Sequence, residues 1–143
     1  MLIATTIAVM AVGAAPAAAK QWQVRMVNAG PTGMSAFVPA FLVVAPGDTV
    51  KYVAVDKGHN AEAMPTMIPA GATAFKGKTD EEIEVTFTTP GLYGIKCKPH
   101  VSMGMVGLIE VKDASNKAEL TAIAEKLPPL AKKTMTGLLA QAK

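Results

Sequence analysis

Cys97, Lys98, Pro99, His100, Val101, Ser102, Met103, Gly104, Met105 is the stretch that decides the reading, because nine residues bring together a thiol, an imidazole and thioether sulfur. Donors of such mixed softness suit a borderline metal, and copper cycling between Cu(I) and Cu(II) matches them best. Cys97 is the chain's only cysteine, and His100 is one of two histidines. The other is His59, in Val55, Asp56, Lys57, Gly58, His59, Asn60. Two imidazoles, one thiolate and one thioether form the donor set of a mononuclear copper site that carries electrons. On softness alone, Met103 and Met105 are both candidates for the thioether.

Working outward, both donor segments sit at the ends of strand-like runs. Leu92 to Cys97 is apolar and follows a Pro90–Gly91 turn; Val106 to Lys112 leaves the stretch on its far side. Thr49 to Val55, rich in Val and Tyr, delivers His59. Trp22, Val24 and Met26 alternate with Gln23, Arg25 and Val27, which predicts a first strand with one buried face. Ile83, Val85 and Phe87 against Glu82, Glu84 and Thr86 give the cleanest alternation in the chain. Phe37 to Ala45 is apolar and extended, but Pro39 confines it to an edge or splits it at a bulge. Asn28 to Gly33 reads as a turn-rich loop, and Ala61 to Lys78, with two prolines and two glycines, as a long loop holding at most one helical turn. Strands at this spacing predict an all-β fold, an antiparallel sandwich with Greek-key connections.

The period changes after residue 115. Asn116 with Glu119 three residues later resembles a capping box, and Leu120, Ile123, Ala124 and Leu127 follow at helical spacing. Pro128 and Pro129 stop that helix. A second over Leu130 to Ala142 places Leu130, Met135, Leu138, Leu139 and Ala142 on one face, weakened at Gly137.

With 143 residues the chain is one domain with room for a sizeable core. All 14 basic and 11 acidic residues lie after position 19, giving a net charge of +3. That is modest and forms no basic stripe, so nucleic acid is not indicated. Leu2 to Ala15 is apolar or small, and Ala17, Ala18, Ala19 supply an A-x-A cleavage site before Lys20. Residues 1–19 therefore read as a secretory signal peptide, although no Lys or Arg stands near Met1. Export puts a lone cysteine in an oxidising compartment without a disulfide partner, and burial or a metal must then protect it.

His59 followed by Asn60, then Cys-x2-His-x4-Met, resembles the cupredoxin pattern. Gly47 to Val50, Val55 to Asn60, Met67 to Gly71 and the Met103-Gly104-Met105 run are most similar to the pseudoazurin branch of that family. The likeness spans Gln21 to the C-terminus, so 20–143 is expected to be one cupredoxin (plastocyanin-like) domain. Two C-terminal helices on the sandwich fit pseudoazurins rather than plastocyanins.

The resemblance implies a soluble periplasmic type 1 blue-copper electron-transfer protein, monomeric, with one copper ion and no enzymatic activity. It implies His59, Cys97, His100 and Met105 as ligands, and Asn60 as the residue that ties the two ligand loops and donates toward the sulfur. It further implies an apolar patch ringed by lysines near the exposed copper histidine, docking acidic redox partners such as copper-containing nitrite reductase. Lys57, Lys76 and Lys96 match that ring, while Ala29 stands where lysine is frequent. Two histidines leave no ligands for a second, substrate-binding copper, which argues against a copper enzyme. A Cys-His hydrolase would need Cys97 and a histidine as a metal-free pair with an orienting third group. A copper-storage protein would favour thioether or paired-thiol donors over this mixed set.

Overall fold

The computed structural model describes residues 13–143. The signal-peptide expectation falls mostly on residues 1–12, outside the described residues; residues 13–19 are exposed and carry no regular structure. Among the described residues, regular structure begins with the first alternating run. Strand β1 (Gln21–Val27) buries Val24 and Met26 and leaves Gln23 and Arg25 outside, the period-2 pattern of a sheet with one face on a core.

Among the described residues, eight strands form two sheets. Sheet I has the order β2 (Ala36–Val38), β1, β4 (Thr49–Ala54), β6 (Ile83–Thr86). Sheet II has the order β3 (Phe41–Val44), β8 (Val106–Val111), β7 (Gly91–Lys96), β5 (Glu62–Ala63). The apolar run from Phe37 is split as expected: β2 and β3 lie in different sheets, and the chain passes between them at Pro39 and Ala40.

One expectation is corrected. The sandwich is mixed rather than antiparallel, since β1 pairs with β4 and β3 with β8 in parallel register. A parallel neighbour needs a crossover, and here the other sheet supplies it: the chain leaves sheet I after β2, runs through β3, and returns to lie beside β1. Strand period cannot reveal this, because it reports burial and not direction.

Two apolar layers follow. Between the sheets pack Val24, Met26, Phe37, Tyr52, Phe87, Tyr93 and Ile95, with Cys97 and Met105 in the same cluster. Leu92, Val106 and Leu108 face the opposite way, against helix α1 (Lys117–Ala124) and helix α2 (Pro129–Leu139). Strand β8 is buried at every position, and β7 at all but Lys96, because both of their faces are covered. Gly94 is required by this packing: a Cβ there would come within 2.9 Å of the Met67 side chain.

The helices form where the period changes, with two corrections. Asn116 makes no side-chain cap on α1. Its amide instead pairs with the backbone of Leu92, accepting from N–H at 2.7 Å and donating to C=O at 3.0 Å, which fastens the helix to β7. Leu130 is not on the buried face of α2; it is 43% exposed, while Ala131, Met135, Leu138 and Leu139 are buried. Between β4 and β6 the expected loop holds the two-residue β5 and one 3-10 turn at Pro65–Met67. Among the described residues, no helix is long and apolar enough to cross a membrane.

Candidate metal centre

The sequence-predicted donors converge at one end of the sandwich, brought there by two loops. The first follows β4, where the chain turns at Gly58 (φ +90°) and places His59 under the surface, 0% exposed. Asp80 clamps this loop: its carboxylate accepts from the Gly58 N–H at 2.7 Å, and its own N–H donates to the His59 carbonyl at 2.8 Å. Asp80 adopts φ +65°, a left-handed conformation that Asp tolerates better than most residues.

The second loop follows β7 and closes on itself. The N–H of His100 donates to the Cys97 carbonyl at 3.2 Å, and that of Met103 to the His100 carbonyl at 2.9 Å. The Met105 N–H reaches the His100 carbonyl at 3.2 Å, and the Cys97 N–H the Met105 carbonyl at 3.1 Å. Gly104 permits this closure at φ +91°, lying against α2 where a Cβ would meet the Thr134 hydroxyl at 3.1 Å.

His59 Nδ1, His100 Nδ1 and Cys97 Sγ all lie within 4.8 Å of one another. The two nitrogens are 3.1 Å apart, and the sulfur stands 3.9 Å from His59 Nδ1 and 3.6 Å from His100 Nδ1. A point equidistant from three such atoms is about 2.1 Å from each, which fits metal–imidazole bonds of about 2.0–2.1 Å. The His59 tautomer suits that use. Its Nε2–H donates to the Asn28 amide oxygen at 2.8 Å, so the Nδ1 of the neutral ring presents a bare lone pair to the centre.

The two thioethers part company here. Met105 is 0% exposed and belongs to the cluster that contains Cys97. Met103 is 42% exposed and lines a surface groove with Met34 and Leu130.

Electrostatics favour uncharged donors before a metal arrives. Burial, then the neighbouring His100, holds the His59 pKa below its ordinary value. Burial pushes the Cys97 thiol up, and the charge of Glu62 adds to that; the backbone N–H groups of Asn60 and His100 act the other way. The N–H that favours the thiolate from Asn60 is thus a backbone group, while its side chain joins the loops. Asn60 Oδ1 accepts from the Lys98 N–H at 2.7 Å, and Nδ2 donates to the Gly77 carbonyl and to Glu62 Oε2, each at 3.0 Å.

Four of the five lysines near the site are exposed: Lys57, Lys76, Lys78 and Lys98. Lys96 is half-buried, with its ammonium 3.4 Å from the buried carboxylate of Glu62. Asn28, Asp80 and Glu62 are the residues that sequence reasoning missed. Asn28 lies in a stretch read as a local turn, and nothing in its spacing links it to a histidine 31 positions later.

The family model of copper binding proteins, plastocyanin/azurin family, matches residues 24–112. A pseudoazurin of Paracoccus pantotrophus is 44% identical over 128 residues, covering 90% of this chain and 88% of its own. The solved pseudoazurin of Methylobacterium extorquens AM1 superposes with a TM-score of 0.80 at 38% identity, covering 85% of this chain and 98% of that one. That of Hyphomicrobium denitrificans gives 0.79 at 36% identity, covering 86% and 98%.

Proposed function

The chain belongs to the pseudoazurins of the plastocyanin/azurin family of copper-binding proteins, and from that premise we propose that His59, Cys97, His100 and Met105 hold one copper ion through which it carries single electrons. Bound there, copper supplies a one-electron couple between Cu(II) and Cu(I). The work of the chain is to hold four donors still, and electron transfer is its function rather than catalysis.

One observation carries the ligand assignment: two imidazole nitrogens and a thiol sulfur within 4.8 Å, with the His59 lone pair freed by Asn28. Cys97 enters as a thiolate, and since burial keeps the bare thiol protonated near neutral pH, loading the site releases that proton. Met105 supplies the weak thioether from the buried side, which favours it over the exposed Met103. Asn60 and the hydrogen bonds within the Cys97–Met105 loop keep the donors in place in both redox states.

The proposal extends to address and partner. The signal-like leader and unpaired cysteine favour export to the periplasm. A half-buried His100 gives electrons an exit near the surface. Beside it, Lys76, Lys78 and Lys98 line a cleft of about 500 Å3 with Asn60 and Pro99. On the loop's other flank lies the groove lined by Met34, Met103 and Leu130. Such a face suits an acidic redox partner such as copper-containing nitrite reductase: the lysines steer the encounter and the apolar side chains exclude water. Lys96 contributes less than its position suggests, because Glu62 already balances it.

Titration of the metal-free protein with Cu(II) tests the site. One equivalent should produce an intense visible band, and Cys97→Ser should abolish it. A Ser variant that stays strongly coloured would exclude Cys97 as a ligand.

A further inference from the structure

At the end of β4 remote from His59, Asp48 is buried at 3% exposure and faces three N–H donors. Oδ1 accepts from the Lys20 backbone N–H at 2.8 Å. Oδ2 accepts from the Trp22 indole N–H at 2.8 Å and from the Ala45 N–H at 3.0 Å. These donors, that of Lys20 foremost, hold the carboxyl below the usual range, so it is ionised at neutral pH. A buried carboxylate normally has a cation as partner. The Lys20 ammonium, set over the Trp22 ring, adds the least of the influences that lower this carboxyl, and Lys112 lines the same cleft; yet the ion pairs among the described residues are Lys51–Glu82, Lys96–Glu62 and Lys132–Glu125, none of which involves Asp48.

The atom that faces Oδ1 is also the boundary of the fold. Residues 13–19 are exposed and irregular, β1 begins at Gln21, and the Lys20 carbonyl already accepts from the Thr49 N–H at 2.9 Å. Lys20 is likewise the first residue after the A-x-A site. Hydrolysis of the Ala19–Lys20 bond adds one water: Ala19 leaves with the leader as a carboxylate, and the Lys20 nitrogen becomes a primary amine that takes a proton at neutral pH.

We propose that Asp48 is a socket for the processed N-terminus: cleavage turns the Lys20 amide donor into an α-ammonium without moving it, and gives the buried carboxylate a cation hydrogen-bonded directly to it. Maturation then stabilises the start of the central β1–β4 pair instead of merely removing the leader. The proposal rests on the cleavage reading, and the two can fail separately.

The test uses copper-loaded protein released from a fusion so that Lys20 is the first residue, the same chain with one alanine before Lys20, and Asp48→Asn in both. In the Lys20-first chain, NMR titration should show the α-amino pKa raised by at least one unit above its ordinary value of about 7.7–8.0. A raised folded-state pKa stabilises below the unfolded value and ceases to do so as pH rises through the folded one. The thermal midpoint of the Lys20-first chain should therefore exceed that of the extended chain at pH 6–7, converge with it on alkalinisation, and show no such margin in Asp48→Asn. The visible copper band should be the same in all four. An α-amino group that titrates at its ordinary value overturns the socket, and should Asp48→Asn not fold, that titration decides alone. A mass spectrum of exported protein beginning elsewhere than at Lys20 overturns the cleavage reading.

Discussion

Asn60→Ala is the substitution from which the structure expects most outside the ligands themselves. The side chain is 4% exposed and makes three hydrogen bonds, to the Lys98 N–H, the Gly77 carbonyl and the Glu62 carboxylate. Truncation leaves a donor on the Cys97 loop and an acceptor on the Gly77 loop without partners, and removes one of the two contacts that balance Glu62. With about 1 kcal/mol for a neutral bond and about 2 for one to a charged group, the loss is about 4 kcal/mol. Domains of this size are stable by only about 5–15 kcal/mol. At about 4 °C per kcal/mol, the midpoint should fall by about 15 °C.

Thermal unfolding of the metal-free variant measures that figure, and the visible spectrum of the copper-loaded variant shows whether the loops still hold their relative position. The copper form should also lose its metal faster to a chelator, because Asn60 links the loop of Cys97 to that of His59. Placing Asn60→Ala in a Glu62→Gln background should cost less than in the parent, since the charged partner is already gone. A cost below about 1 kcal/mol with unchanged copper retention would refute the idea that this amide ties the loops.

Met105→Gln should lower the reduction potential while keeping the colour, because a harder oxygen donor favours Cu(II); if Met103→Gln lowers it more under voltammetry, the axial assignment is wrong. In metal-free protein the folded His59 pKa lies below its ordinary value of about 6.5, so on acidification the unfolded chain takes up a proton that the folded chain resists. The stability this residue contributes is present above about pH 6.5 and lost as pH falls through the folded value, which calorimetry between pH 7 and 5 should register as a falling midpoint. Lys57→Ala or Lys76→Ala should each slow electron transfer to an acidic partner by about threefold at low salt, the difference closing as salt screens it. Stopped-flow should find a smaller effect for Lys96→Ala, paired with Glu62, and less again for Lys112→Ala, which follows β8 at the end of the sandwich remote from the donors; equal effects would mean that net charge alone drives encounter.

What could be read from the sequence was whatever a residue's type or local period decides. Cys97, His59 and His100 stood out because the chain holds so few side chains of their chemistry, and the structure brings them together. Strand β1 was legible because it has one wet and one dry face; Pro39 marked the break because proline cannot sit in a central ladder. Residues whose role is a contact made far along the chain stayed hidden. Asn116 has the local signature of a helix cap, yet its amide is used by Leu92, 24 positions away. Asn28 looks like a turn residue and fixes a histidine tautomer instead. Parallel pairing of β1 with β4 left no mark, since alternation is the same for a strand run in either direction.

The same distinction explains why the metal end of the molecule was easier to recognise than its opposite pole. A soft-donor set announces its chemistry through residue type, so a few positions suffice to identify it. Asp48 is an ordinary residue in a Pro-Gly-Asp turn, and its type says only that the chain bends there. It becomes informative once burial, three converging N–H groups and the absence of an ion pair to it among the described residues are seen together. Strand β4 joins the two ends, with Asp48 just before it and His59 five residues beyond it, and β1 runs parallel along its whole length. A gain in stability at Asp48 therefore acts on the strand pair from which the His59 loop and Asn28 both emerge. The copper band reports the donors and the thermal midpoint reports the strand pair, so measuring both on each variant separates a loosened site from a loosened frame.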